Sequence, residues 1–229
     1  MIEVMMPGHE GVTFIAQASS FFIEVQVRRV GENVIIWING AFGSGKTTAA
    51  FELQRRIPDS VVYDPEHVGF FIRKQLPKSI HKGDFQDYPM WREMNYAMLK
   101  HLSEEYSGTV IVPMTITNPD YFAEIVGRLR GVGADICHVT LLASRETLLK
   151  RLKGRGERSN SWPIQQIDRC LASLGTEVFA EHVYTDELTA EEVVERIASL
   201  SGVTLLPDTR GRFRKALDRK LITIRHIRF

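Results

Sequence analysis

The eight residues Gly40-Ala41-Phe42-Gly43-Ser44-Gly45-Lys46-Thr47 constrain this chain more than any other stretch. They match G-x-x-x-x-G-K-[ST], and their surroundings supply the strand and helix that this pattern requires. Val34–Asn39 is a short apolar run rich in β-branched and aromatic side chains, which predicts a buried strand. Beyond the glycines, Ala50, Leu53 and Ile57 fall near helical spacing and Pro58 stops the helix. Glycines at these points let backbone N–H groups curl around phosphate oxygens, and the helix N-terminus adds a partial positive charge. Lys46 then neutralises the β- and γ-phosphates and Thr47 offers its hydroxyl to Mg²⁺. Gly40 through Thr48 therefore form the expected binding set for a nucleoside triphosphate.

Downstream the chain alternates strand and helix, which implies a mostly parallel sheet with helices on both faces. Strands are expected at Ser60–Asp64, Thr109–Met114, Ile136–Leu142 and Glu181–Thr185, giving five with the first. Helices are expected from about Pro65, over Trp91–Tyr106, from Pro119 to Arg130, over Arg145–Lys153 and up to Leu200. Thr189-Ala190-Glu191-Glu192 resembles a capping box offset by one residue. The fold class is thus α/β, a three-layer P-loop NTPase domain of the nucleoside-kinase type.

The domain spans 34–206. Residues 1–33 precede its first strand and are expected to be peripheral and poorly ordered, although Phe22–Val27 partly alternates and suggests an edge strand. Residues 207–229 form a tail. From Arg210 onward there are eight Lys/Arg against the single acid Asp218, whereas the remainder carries 21 basic and 27 acidic residues. The overall charge is only +1, so nothing global points to nucleic acid, but a basic tail on an acidic body suggests an anionic partner for the tail. Cys137 and Cys170 are the only cysteines and lack metal or redox spacing, which fits a reducing compartment. No apolar run reaches transmembrane length and no basic region precedes the apolar stretch near Phe14, so the protein is expected to be cytoplasmic.

Four groups of residues carry candidate chemistry. Asp64 stands at the carboxyl end of the second strand, where ligands of open α/β sheets sit. It suits a general base or a holder of a Mg²⁺ water, and equally a cap for the following helix. The third strand ends Pro113-Met114-Thr115 with no acid for the metal, which argues against fast catalysis. The loop containing Asp84, Phe85, Gln86, Tyr88, Trp91 and Arg92 mixes acids, aromatics and a cation as a flat hydrogen-bonding ligand requires, or simply anchors itself to the core. Arg145, Lys150, Arg151, Lys153, Arg155 and Arg158 surround Gly154 and Gly156, the pattern of a lid that closes arginines over phosphates or of a solvated helix end. Arg151 and Arg155 share a helix face, and Arg169 is a further, weaker candidate. In the tail, Phe213, Leu217, Leu221 and Ile224 recur every three to four residues among basic side chains. That pattern reads either as a membrane-surface helix or as a stripe packed on the core.

The chain as a whole resembles the bacterial tunicamycin resistance protein family, from Val34 to the C-terminus. The resemblance rests on Ile36–Thr47, Tyr63-Asp64-Pro65-Glu66, Asp84-Phe85-Gln86, Tyr88-Pro89, Trp91-Arg92 and Ile111–Thr115. It continues through Glu146–Leu152, Ser161-Trp162, Gln166–Cys170, Pro207–Gly211 and His226-Ile227-Arg228. It implies an ATP-binding protein that protects against tunicamycin, a uridine-containing nucleoside antibiotic, and that sits peripherally on the inner face of the membrane through its basic C-terminal helix. Phosphorylation of the antibiotic is the leading reading, and ATP-dependent sequestration without chemistry is the alternative. A looser likeness to small-molecule kinases such as chloramphenicol phosphotransferase implies that Asp64 is a base. Residues 1–33 depart from the family pattern, which makes Val34 a candidate start.

Overall fold

The computed structural model describes residues 12–19, 22–29 and 33–226. Strands β1 (Val12–Ser19) and β2 (Phe22–Arg29) pair antiparallel with each other in a two-stranded sheet. The strand expected over Phe22–Val27 therefore exists, but it pairs with β1 and does not extend the main sheet.

That main sheet contains β3 (Ile35–Gly40), β4 (Ser60–Val62), β5 (Thr109–Pro113), β6 (Ile136–Leu142) and β7 (His182–Tyr184). All pairings are parallel and the order is β4-β5-β3-β6-β7. β3 is central and wholly buried, which accounts for its unbroken apolar run. Its side chains divide by the period of two. Ile35 and Trp37 enter one core, and Ile36 and Ile38 enter the other. The Ile36 side is covered by α1 (Lys46–Arg56), through Ala49, Ala50 and Leu53, and by a helix near the C-terminus. The Trp37 side is covered by α2 (Glu66–Gln75), α3 (Pro89–Glu105) and a helical segment of α4 (Pro119–Phe122), a π turn at Ala123–Gly127 and α5 (Arg128–Gly131). Beyond them lie α6 (Arg145–Gly154), α7 (Trp162–Gln165) and α8 (Ile167–Leu174).

The helix closing the Ile36 side is α9 (Ala190–Ser201). Its capping box is in register and not offset. Thr189 Oγ1 accepts the Glu192 N–H at 3.2 Å, and Glu192 Oε2 accepts the Thr189 N–H at 2.7 Å.

The tail forms α10 (Arg212–His226), and of the two readings of its stripe the core-packed one does not fit its contacts. Phe213, Leu217 and Leu221 are 85%, 48% and 43% exposed, while Ile222 on the opposite face is buried. The docked face is charged. Arg210 at its entrance pairs with Glu52 of α1, Lys215 lies 3.5 Å from Glu191 of α9, and Arg219 reaches Glu191 at 2.7 Å. Ile224, the fourth member of the stripe, lies outside the described side chains.

Candidate functional site

β3 delivers the chain into the glycine loop through a buried asparagine. Asn39 Oδ1 accepts the N–H groups of Gly40 (2.8 Å) and Ile116 (3.0 Å), and its Nδ2 donates to the Ile116 carbonyl at 2.9 Å. The start of the loop is thereby bolted to the segment after β5. Thr115 adds a second bolt, donating its hydroxyl to the Gly40 carbonyl at 2.8 Å. Gly40 itself has φ +147°, and a Cβ there would stand 2.5 Å from Ser44 Oγ and 2.7 Å from the Leu141 carbonyl. Only glycine fits so close an approach. Asn39 was not among the expected site residues. Its signal was a polar side chain closing an otherwise apolar strand.

Lys46 opens α1 and folds back over the loop, donating to the carbonyls of Gly40 (2.8 Å) and Ala41 (3.0 Å). By surface area the residue is half-buried, yet protein crowds its ammonium, and that desolvation pushes its pKa down to about 8. Arg155 adds to the fall, whereas the carboxylates of Glu66 and Asp64 oppose it. Asp64 lies just beyond β4. Its Oδ1 accepts the Glu66 N–H at 3.0 Å and its Oδ2 lies 3.9 Å from His67 Nε2, so it caps the start of α2 while its charge is felt at Lys46. The buried thiol of Cys170 is pushed up by burial and remains a protonated core group.

A cleft of about 260 Å³ opens on the other side of the loop, lined by Gly43, Ser44, Thr48, Arg151, Arg155 and Thr185 among others. Arg151 is built in: it donates to Thr185 Oγ1 at 3.0 Å and to the Thr185 carbonyl at 2.7 Å. Arg155 is half-buried at the same cleft, and burial lowers its pKa. Arg145 instead pairs with Asp168 at 2.8 Å on the surface, and Arg158 is exposed. Trp162 at the start of α7 meets the Phe42 ring edge-on, with centroids 5.1 Å apart. The segment expected to act as a lid thus rests on the phosphate loop. A larger depression, about 510 Å³, lies between β7 and α9, but none of the loop residues lines it. Size alone does not mark the site.

The loop after α2 divides. Trp91 has no exposed surface and donates its indole N–H to the Pro65 carbonyl at 3.0 Å. Tyr88 is buried and accepts the Lys82 N–H at 2.7 Å. Gln86 donates to the Thr115 carbonyl at 3.0 Å, and Arg92 binds the Gln86 carbonyl at 2.5 Å and Glu124 at 2.6 Å. The Phe85 ring packs on Trp91, with centroids 5.5 Å apart, and against Gly69. These five residues are all held by contacts within the domain, since an aromatic or cation suited to a ligand is equally suited to pinning a loop. Asp84 differs. It caps a short 3₁₀ turn, and its Oδ2 faces the half-exposed Arg169 at 3.6 Å.

Residues 35–176 match the AAA domain family model. The solved tunicamycin resistance protein of Deinococcus radiodurans is 34% identical, with a TM-score of 0.65 over 76% of this chain and 99% of that one. This chain belongs to the tunicamycin resistance protein family. Two kinases share the fold at lower identity. A sugar kinase from Janibacter sp. is 15% identical (TM-score 0.53, 76% of this chain, 95% of that one), and a gluconokinase from Sinorhizobium meliloti is 20% identical (TM-score 0.53, 76% and 94%). No curated protein matches the chain.

In this family member the depressed pKa of Lys46 makes phosphate binding pH-dependent. The free ammonium titrates at about 8, and a bound polyphosphate raises that value by favouring the charged form. Binding therefore takes up a proton above pH 8, and affinity falls as pH rises from there to the bound pKa. Calorimetry of nucleotide triphosphate binding in two buffers of different ionisation enthalpy should show clear proton uptake at about pH 9 and little at about pH 7. Equal uptake at both would remove Lys46 as the titrating group.

Proposed function

We propose that this protein binds ATP with Mg²⁺ and confers tunicamycin resistance by phosphorylating the antibiotic. The observation that carries this reading is Lys46, a crowded ammonium held by the Gly40 and Ala41 carbonyls at the phosphate loop, with the carboxylates of Asp64 and Glu66 near enough to favour its charge. In the proposed reaction the loop N–H groups and Lys46 hold the β- and γ-phosphates, and Arg151 and Arg155 approach from the cleft that they line beside Gly43 and Thr48. Asp64 takes the acceptor hydroxyl proton or holds a metal-bound water, and Asp84 with Arg169 grips the acceptor. The donors present suit Mg²⁺, which prefers one or two protein oxygens and retained waters: Thr47 supplies a hydroxyl and Asp64 a carboxylate, while among the described residues no cluster of three acidic, His or Cys side chains exists. When bound, the ion neutralises charge on the transferring phosphoryl group.

Mass spectrometry of tunicamycin after incubation with protein and Mg·ATP tests the class, because transfer adds one phosphoryl mass. Asp64→Asn should keep ATP affinity but lower turnover by roughly 10²–10⁴-fold, and Lys46→Ala should abolish binding and resistance together. Unchanged turnover for Asp64→Asn at saturating antibiotic would leave Asp64 only its capping role.

The sequestration reading has one observation in its favour. β5 ends without an acid, and the Thr115 hydroxyl there is spent on the Gly40 carbonyl.

The tail supplies the proposed location, the inner membrane face. Phe213, Leu217 and Leu221 point away from the domain, and the exposed Arg214 and Lys220 flank them. Each cation near an anionic leaflet contributes about 1 kcal/mol, and the stripe adds an apolar contribution. Leu221→Glu should release protein from anionic vesicles and weaken resistance without changing the melting temperature or ATP affinity. Undiminished co-sedimentation at low salt would dismiss the anchor.

The division of the chain at Val34 belongs to the same reading. A chain beginning at Val34 should melt at the same temperature and confer the same resistance, and a loss of several degrees would show that the preceding segment packs on the domain.

A further inference from the structure

The P-loop helix carries a buried acid. Glu52 in α1 is 2% exposed and lies six residues after Lys46, about 9 Å along the helix axis. Its carboxylate receives Arg210, with Nη1 at 3.5 Å from Oε1 and Nη2 bonded to Oε2, and Arg219 Nε stands 3.8 Å away. Both cations come from the tail. Arg210 is itself clamped: Asp208 accepts its Nε and Nη2 at 2.9 Å each, and Asp218 of α10 accepts its Nη1 at 2.7 Å. Arg55, also on α1, approaches Asp218 at 3.6 Å. The Arg210 side chain is only 15% exposed, so this is an enclosed network and not a surface pair.

We propose that Arg210 is a positioning residue for the nucleotide site: by neutralising Glu52 it fixes the helix whose first turn carries Lys46 and Thr47. The inference rests on the ATP-binding reading and extends it, making 207–226 a working part of the nucleotide domain as well as the proposed anchor. An acid this deep without its cation either takes a proton or drags the helix toward water. The second response displaces α1 and the first leaves it without the guanidinium fork that fixes it, whereas the loop N–H groups at its head must converge on one phosphate to bind it. Because α10 docks by its charged face, the clamp stays closed while Phe213, Leu217 and Leu221 remain outward.

The test uses the full chain and Mg·ATP, with affinity by calorimetry and stability by thermal melting. Arg210→Ala should weaken ATP affinity about tenfold, measured well below its melting temperature, as well as lowering that temperature. Arg210→Lys, which keeps the charge but not the fork, should fall between it and the native chain. The double variant Glu52→Gln/Arg210→Ala removes the buried acid of α1 together with its cation, leaves Asp208 with Lys215 at 3.2 Å and Asp218 with Arg55 at 3.6 Å, and should recover affinity to within about threefold of the native chain. Native ATP affinity in folded Arg210→Ala, despite a lower melting temperature, would make the clamp purely structural and overturn the proposal. If Arg210→Ala does not fold, the double variant decides, because its failure to fold or to bind overturns the proposal as well. Absence of ATP binding by the native chain would instead sink the P-loop reading beneath it.

Discussion

A lysine ammonium crowded by protein loses hydration worth several kcal/mol, and the ligand-facing end of this molecule is arranged around that cost at Lys46. Two loop carbonyls accept its hydrogen bonds, and the charges of Glu66 and Asp64 favour its charged form. Those carbonyls hold position only because the loop is tied down elsewhere. Asn39 and Thr115 fasten Gly40 to the segment after β5, so the central strand and its neighbour move as one. The positive charge is thus held at the glycine loop by the loop's own backbone.

The same logic explains where acids do and do not occur. An acid at the end of β5 would compete for the place where the Thr115 hydroxyl holds the Gly40 carbonyl. Negative charge comes instead from the Asp64-Pro65-Glu66 turn, which Trp91 steadies from behind by bonding the Pro65 carbonyl. Trp91 therefore acts on the site without touching it. Its indole fixes the carbonyl between the two acids, and Phe85 packs against its ring.

Local pattern made the sheet legible: a run of apolar residues, a glycine loop and a capped helix each announce themselves within a dozen residues. The place of Asp64 before α2 is legible for the same reason, since a strand end and a following Pro mark a helix start. The contacts of residues 84–92 are not legible in that way, because they depend on distant partners. Trp91 finds its acceptor 26 residues back and Gln86 finds Thr115 29 residues on, pairings that no periodicity encodes. The role of Asn39 is likewise not legible locally, because nothing nearby in the chain says that an asparagine will bridge to Ile116.

The tail shows most clearly why pattern and docking are different questions. A helix with an apolar stripe and a cationic face has two ways to lie on a protein, and burial of the stripe is the common one. Here α1 and α9 offer Glu52 and Glu191 where α10 lands, so the cationic face docks and Ile222 is the only buried apolar side chain among its described ones. The decisive partner of Arg210 lies 158 residues away in the chain. An enclosed ion pair is weak evidence for stability, because apolar residues of the same shape often serve as well. What it does supply is direction. Burying Phe213, Leu217 and Leu221 would leave Glu52 without its cation, so the two orientations of α10 differ by a buried charge as well as by apolar area. The acid in the P-loop helix thereby selects the orientation that keeps the stripe outward.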